Sequence, residues 1–122
     1  MLKHPSDFTT ETRSAMRQGN GTVILEHVWN CGEELHSPTR MYSRIVLEPG
    51  CSIGWHVHQD EEEIFYFLSG KALFNDNGSE VEVGAGDVTA TRSGEGHSVA
   101  CLGNEKTEIL AMIIRYPESV AK

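Results

Sequence analysis

The sequence predicts an all-β domain, either a closed barrel or two packed sheets. From Thr22 onward short β-rich runs follow one another at the spacing of sandwiches and barrels. Turn residues punctuate them at Pro49-Gly50, Ser69-Gly70, Asp76-Asn77-Gly78 and Gly84-Ala85-Gly86, and the Asn77-Gly78 pair is a strong hairpin signal.

Residues 1–20 form a polar N-terminal segment in which 10–18 can make one or two helical turns. Thr9 or Thr10 would cap them and Gly19 or Gly21 would stop them. Strands are expected at 22–29, 40–47, 52–57, 63–68, 71–75, 80–83, 87–91, 97–102 and 108–115. The run Ile64-Phe65-Tyr66-Phe67-Leu68 is apolar throughout, as in a strand buried on both faces. One domain over 21–117 and a tail over 118–122 complete the division, without an internal repeat or a low-complexity tract.

A chain of 122 residues has room for one domain. Its 10 Lys and Arg against 18 Asp and Glu give a net charge of −8, the wrong sign for holding phosphate backbones, so nucleic acid is not an expected partner. No stretch approaches the ~18 apolar residues of a membrane span, and the N-terminus lacks an apolar secretion core. A soluble, cytoplasmic protein is expected. Cys31, Cys51 and Cys101 are odd in number and include no Cys-x-x-Cys pair, so each reads as a small packed hydrophobe. Against this acidic background the six histidines stand out.

Two of them, His56 and His58, are two residues apart on an expected strand. Alternation puts both on one face, close enough to share an ion. An isolated pair of this kind reads first as a solvated face. Here, however, a short acidic turn leads to Glu63, a carboxylate opening an apolar run and therefore in need of a partner. Glu62 takes that place if the turn is one residue shorter; Asp60, Glu61 and Glu62 otherwise read as a solvated turn.

Gly50, His56, His58, Glu63 and Gly70 fall on every fixed position of G-x5-H-x-H-x4-E-x6-G, the first motif of the cupins, and the chain resembles that family. The second motif, G-x5-P-x-G-x2-H-x3-N, matches at Gly86, Gly94 and His97, with Arg92 in place of proline and Cys101 in place of asparagine. The resemblance implies a single-domain jelly roll, or double-stranded β-helix barrel. It also implies one divalent metal ion held by His56, His58, Glu63 and His97, and pairing of chains as homodimers, for which the strand at 22–29 offers an edge. Three imidazoles and one carboxylate suit Fe, Mn, Ni, Co, Cu or Zn better than Mg or Ca.

If Glu63 and His97 face inward, alternation sends Phe65, Phe67, Val99 and Cys101 to the same side and predicts an apolar pocket. Tyr42 and Arg44, on a shared strand face with Arg40, are candidates for holding a substrate carboxylate or hydroxyl, against the plain reading that they are exposed. His4, His27 and His36 match no motif and read as surface or structural residues. Trp29 and Trp55 read as core or dimer contacts. The functional expectation is a metal-dependent enzyme acting on a small organic molecule, nominally a dioxygenase-like oxidoreductase. Decarboxylase, isomerase and lyase chemistry stay open, as does a non-catalytic sensor or accessory protein that binds a small ligand or a metal.

Overall fold

Residues 1–117 are described by a computed structural model, and the expected tail at 118–122 lies outside them. Ten strands form among the described residues: β1 (Thr9–Ser14), β2 (Thr22–His27), β3 (Thr39–Leu47), β4 (Ser52–Val57), β5 (Glu61–Ser69), β6 (Lys71–Asp76), β7 (Ser79–Gly84), β8 (Val88–Thr91), β9 (Gly96–Leu102) and β10 (Thr107–Arg115). They make a six-stranded sheet, in the order β1-β2-β3-β10-β5-β8, and a four-stranded sheet, β4-β9-β6-β7, with every pairing antiparallel. This is the jelly roll expected from the sequence. No helix among the described residues is long and apolar enough to cross a membrane.

The N-terminal segment departs from its expected form. Met16–Gln18 is a single 3-10 turn, and Pro5–Asp7 is another. Between them Thr9–Ser14 is a strand paired with β2, where the helical reading placed a turn. An isolated helix of about nine residues is marginal in water. The alternating threonines at 10 and 12 instead suit a pleated surface and gain a ladder from β2. β1 thereby carries the six-stranded sheet across the expected 20/21 boundary, and β2 is an interior strand rather than an edge open to a second chain.

Inward-facing residues of the two sheets make the core. Val23, Leu25, Ile45, Leu47, Phe67, Phe74 and Ile109 are all buried, and Phe67 and Phe74 meet edge to face with ring centres 6.3 Å apart. β5 alternates strictly. Phe65 and Phe67 are buried, whereas Ile64, Tyr66 and Leu68 are 38%, 49% and 41% exposed, so only one face of this apolar run is inside. The expected double-sided burial fails because the sheet's outer face has no layer over it among the described residues.

Phe67 lies at the centre of the core with no exposed surface. Its replacement by Ala should lower the free energy of unfolding by about 3–5 kcal/mol. The effect is read as a lower urea midpoint at unchanged slope.

Candidate metal centre

β4 and β9 of one sheet face β5 of the other at one end of the barrel. A β-bulge shapes this end: the β4/β9 register steps from Ile53↔Val99 to His56↔His97, so three residues of β4 span two of β9. The extra residue puts Ile53 and His56 on the same inner face, which strict alternation forbids at a separation of three. On β5, Glu61 and Glu63 share the inner face and Glu62 points away, which decides between the two candidate carboxylates in favour of Glu63.

The four expected side chains come together. His56, His58, Glu63 and His97 each offer one atom, and these atoms all lie within 4.8 Å of one another. His97 Nε2 is 3.0 Å from His56 Nε2, 3.2 Å from His58 Nε2 and 3.1 Å from Glu63 Oε1, and His58 Nε2 is 3.0 Å from Glu63 Oε1. Ligand atoms at right angles around an ion, about 2.1–2.2 Å from it, stand about 3.0–3.1 Å apart, whereas a tetrahedral set at about 2.0–2.1 Å stands about 3.3–3.4 Å apart. The four separations of 3.0–3.2 Å lie close to these ranges, so one ion could be held by all four side chains.

The partners of the other ring nitrogens explain why the Nε2 atoms converge. His56 Nδ1 is 2.9 Å from the Gly54 carbonyl, which can only accept. His58 Nδ1 is 2.7 Å from Glu61 Oε2, a carboxylate held by Arg40 through two hydrogen bonds of 2.8 Å. His97 Nδ1 is 2.8 Å from Thr91 Oγ1, which can accept its proton. With the proton on Nδ1, each ring turns a lone pair inward, the tautomer a metal ligand needs. Phe65 stacks on His97 at 5.2 Å and fixes its plane.

The electrostatics follow from this packing. Burial pushes His56 down to about 4, so that ring is neutral at physiological pH. Burial also opposes charge on His58, but the hydrogen bonds its ring donates to Glu63 and Glu61 outweigh it and its pKa is raised. Burial would raise Glu63; the hydrogen bonds from His58 and His97 overcome it and hold the carboxyl below its ordinary value. The Arg40 guanidinium holds Glu61 at about 2.

Beyond the cluster a cavity of about 540 Å³ opens, lined by residues that include Phe65, Val99, Met41, Ile113, Trp29 and His27. Phe65 and Val99 stand where alternation predicts. Phe67 and Cys101 do not line it: each faces inward but lies four residues, roughly 13 Å of strand, beyond Glu63 and His97 respectively. Cys101 is buried beside Thr107 Oγ1, 3.3 Å away, while Cys31 and Cys51 are half-buried. Tyr42 and Arg44 lie on the other face of β3, because Met41, Ser43 and Ile45 take the inner one; Arg44 instead pairs with Glu26 at 3.0 Å and Glu108 at 3.7 Å. Arg40, at the strand's mouth end, does reach the lining.

Sequence reading missed three features. Glu61 belongs to the strand rather than to a solvated turn, a consequence of β5 starting two residues early, and its parity with Glu63 was the available signal. Thr91 is brought to the site by the pairing Glu63↔Thr91 across β5 and β8, which no local pattern announces. His27 lines the cavity, held between Ser43 Oγ at 2.6 Å and Glu11 Oε1 at 2.7 Å. Trp29 is a cavity wall with the Lys3 ammonium 5.0 Å from its ring, and Trp55 is 49% exposed, its ring lying over Gly96. His4 and His36 are exposed, as expected.

One pH dependence follows. Below its raised pKa His58 carries a proton on Nε2 facing Glu63, and an ion needs that lone pair. Affinity for a divalent metal should therefore rise with pH through and above 6.5, the ordinary histidine value. Calorimetry in buffers of different ionisation enthalpy should show about one proton released per ion bound on the acidic side of that range.

Comparison with known proteins agrees with the geometry. The family model described as a cupin domain matches residues 43–113. The chain is 44% identical over 114 residues, 93% of both chains, to the oxalate-binding protein of Thermotoga maritima. It superposes with a TM-score of 0.89 on a crystal structure of a predicted oxalate decarboxylase from Thermotoga maritima, at 43% identity over 94% of this chain and 99% of that one. An uncharacterised Klebsiella pneumoniae protein with a double-stranded β-helix domain shares the fold, with a TM-score of 0.68 at 21% identity over 93% of this chain and 89% of that one. With the barrel, the two motifs and the convergent cluster all in place, the chain belongs to the cupin family.

Proposed function

We propose that this cupin binds a small organic acid, with oxalate as the reference ligand, through one divalent transition ion held by His56, His58, Glu63 and His97. The observation that carries the reading is the meeting of three imidazole Nε2 atoms and a carboxylate in a pocket where Glu63 is 5% exposed and His97 2% exposed. Lone pairs about 3 Å apart repel, and a cation between them removes the repulsion and offsets the burial of the carboxylate. The ion, Fe, Mn, Ni, Co, Cu or Zn by its donor set, supplies a Lewis-acid centre for an acid's carboxylate oxygen.

The chain's own residues do the rest. Gly54, Glu61 and Thr91 hold the imidazoles in one tautomer, and Phe65, Val99 and Ile113 exclude water from one wall. Arg13, Arg17 and Arg40 put three of the chain's ten cationic side chains on the cavity of a protein of net charge −8, which favours entry of an anion. The name of the Thermotoga maritima relative supports oxalate as that anion.

Turnover is the second reading, either decarboxylation of the acid or dioxygenase-like oxidation. The apolar wall beside the ligand cluster favours it. Three free cysteines support a cytoplasmic location. The expected homodimer contact moves from β2 to the apolar outer face of β5 and β8, where Ile64, Tyr66, Leu68 and Val88 are exposed; a solution mass of one chain would remove it.

Calorimetry of oxalate with the metal-loaded protein tests the reading. Binding in the wild type and its loss together with the metal in His97→Ala are expected; oxalate binding that survives metal removal would overturn it. Formate release or oxygen uptake with bound oxalate would convert the binding protein into an enzyme.

A further inference from the structure

The segment Ala15–Gln18 is held in an unusual backbone conformation beside the cavity. Ala15, Arg17 and Gln18 have φ of 51°, 52° and 64°, three non-glycine residues in the left-handed region within four positions. Each is disfavoured against an extended or right-handed backbone, and such strain collects where function imposes it.

The surrounding chain enforces the conformation. Ala15 N–H donates to Gly21 O at 2.9 Å, Ser52 N–H to Asn20 O at 2.8 Å, and Asn20 N–H to Ser52 Oγ at 2.8 Å. The approach to β4 is close enough that a Cβ on Gly54 would lie 2.0 Å from Arg17 O, and one on Gly19 would lie 2.2 Å from Ser52 O. Only glycine fits at either place. Gly54 is also the residue whose carbonyl orients His56, so Arg17 is anchored directly behind one of the expected metal ligands.

Arg17 lines the cavity and is exposed, and it makes no ion pair among the described residues. The other two cavity arginines are engaged, Arg13 with Glu11 at 2.7 Å and Arg40 with Glu61 at 2.8 Å. Glu33 also lines the cavity and is exposed, and Trp29 and Met16 add apolar wall to it. A cavity of about 540 Å³ falls in the range that encloses whole drug-sized ligands, far larger than a two-carbon acid needs.

We infer that Arg17 is a specificity residue that binds a second anionic group of the ligand, so the site takes an elongated diacid, one carboxylate at the metal centre and the other at the mouth. This rests on the proposed carboxylate-binding function. The strained turn fixes the guanidinium's anchor point before the ligand arrives, which reduces the ordering cost of binding.

The test is a calorimetric series on metal-loaded protein with oxalate, malonate, succinate, glutarate and adipate, with acetate as the single-carboxylate reference. The expected result is an affinity maximum at a chain longer than oxalate. Arg17→Asn, whose side chain tolerates the left-handed backbone, should lower that maximum by about five- to tenfold, several times more than it lowers the affinity for oxalate or acetate, and Arg17→Lys should restore part of the loss. Added salt should weaken the long acids more than oxalate in the wild type alone. A series in which oxalate binds best and Arg17→Asn changes nothing overturns the assignment while leaving carboxylate binding intact. A protein that takes up metal but binds no member of the series overturns both.

Discussion

Three hydrogen bonds on the far sides of three imidazoles set the terms for the rest of this structure. Gly54 O, Glu61 Oε2 and Thr91 Oγ1 each occupy an Nδ1, and each thereby directs an Nε2 lone pair to a shared point beside Glu63. Without these partners the rings could rotate or exchange tautomers, and a buried histidine cluster would be mutual repulsion with nothing in return. The fold is arranged to supply them. The bulge in β4 turns His56 inward and places the Gly54 carbonyl behind it, the early start of β5 brings Glu61 beside His58, and the β5/β8 pairing delivers Thr91 to His97.

Placing the cluster at one end of the barrel reconciles a polar site with an apolar core. Phe67, Phe74, Leu47 and Ile109 fill the interior further along the strands and carry the stability. Phe65 belongs to both halves: it packs on Phe67 with ring centres 5.9 Å apart and stacks on His97. The net charge of −8 is likewise unevenly distributed, since arginines gather at the cavity while two of the acidic residues, Glu61 and Glu63, are used to hold cationic or metal-seeking groups. A global charge therefore says little about what a cavity attracts.

Period-two alternation and glycine punctuation made the strands from β2 to β10 legible, and motif spacing was enough to bring His56, His58, Glu63 and His97 into one constellation. What stayed hidden depends on pairing between distant strands. The inner face of β3 could not be told from its outer face, so Tyr42 and Arg44 were candidates until Met41, Ser43 and Ile45 proved to face inward. β1 was hidden because a Thr- and Glu-containing hexamer has no strong preference until β2 offers it a ladder. His27 looked ordinary because its partners, Glu11 and Ser43, belong to two other strands.

Everything proposed for this cavity depends on the convergent cluster holding a metal ion. Anomalous scattering from a crystal of protein purified without added metal tests it directly. One transition-metal peak per chain is expected, about 2.0–2.3 Å from His56 Nε2, His58 Nε2, His97 Nε2 and a Glu63 carboxylate oxygen, with further positions open toward the cavity. A metal-free cluster that stays empty when the crystal is soaked in Mn, Fe or Zn, with Glu63 hydrogen-bonded to protonated His58, would contradict it.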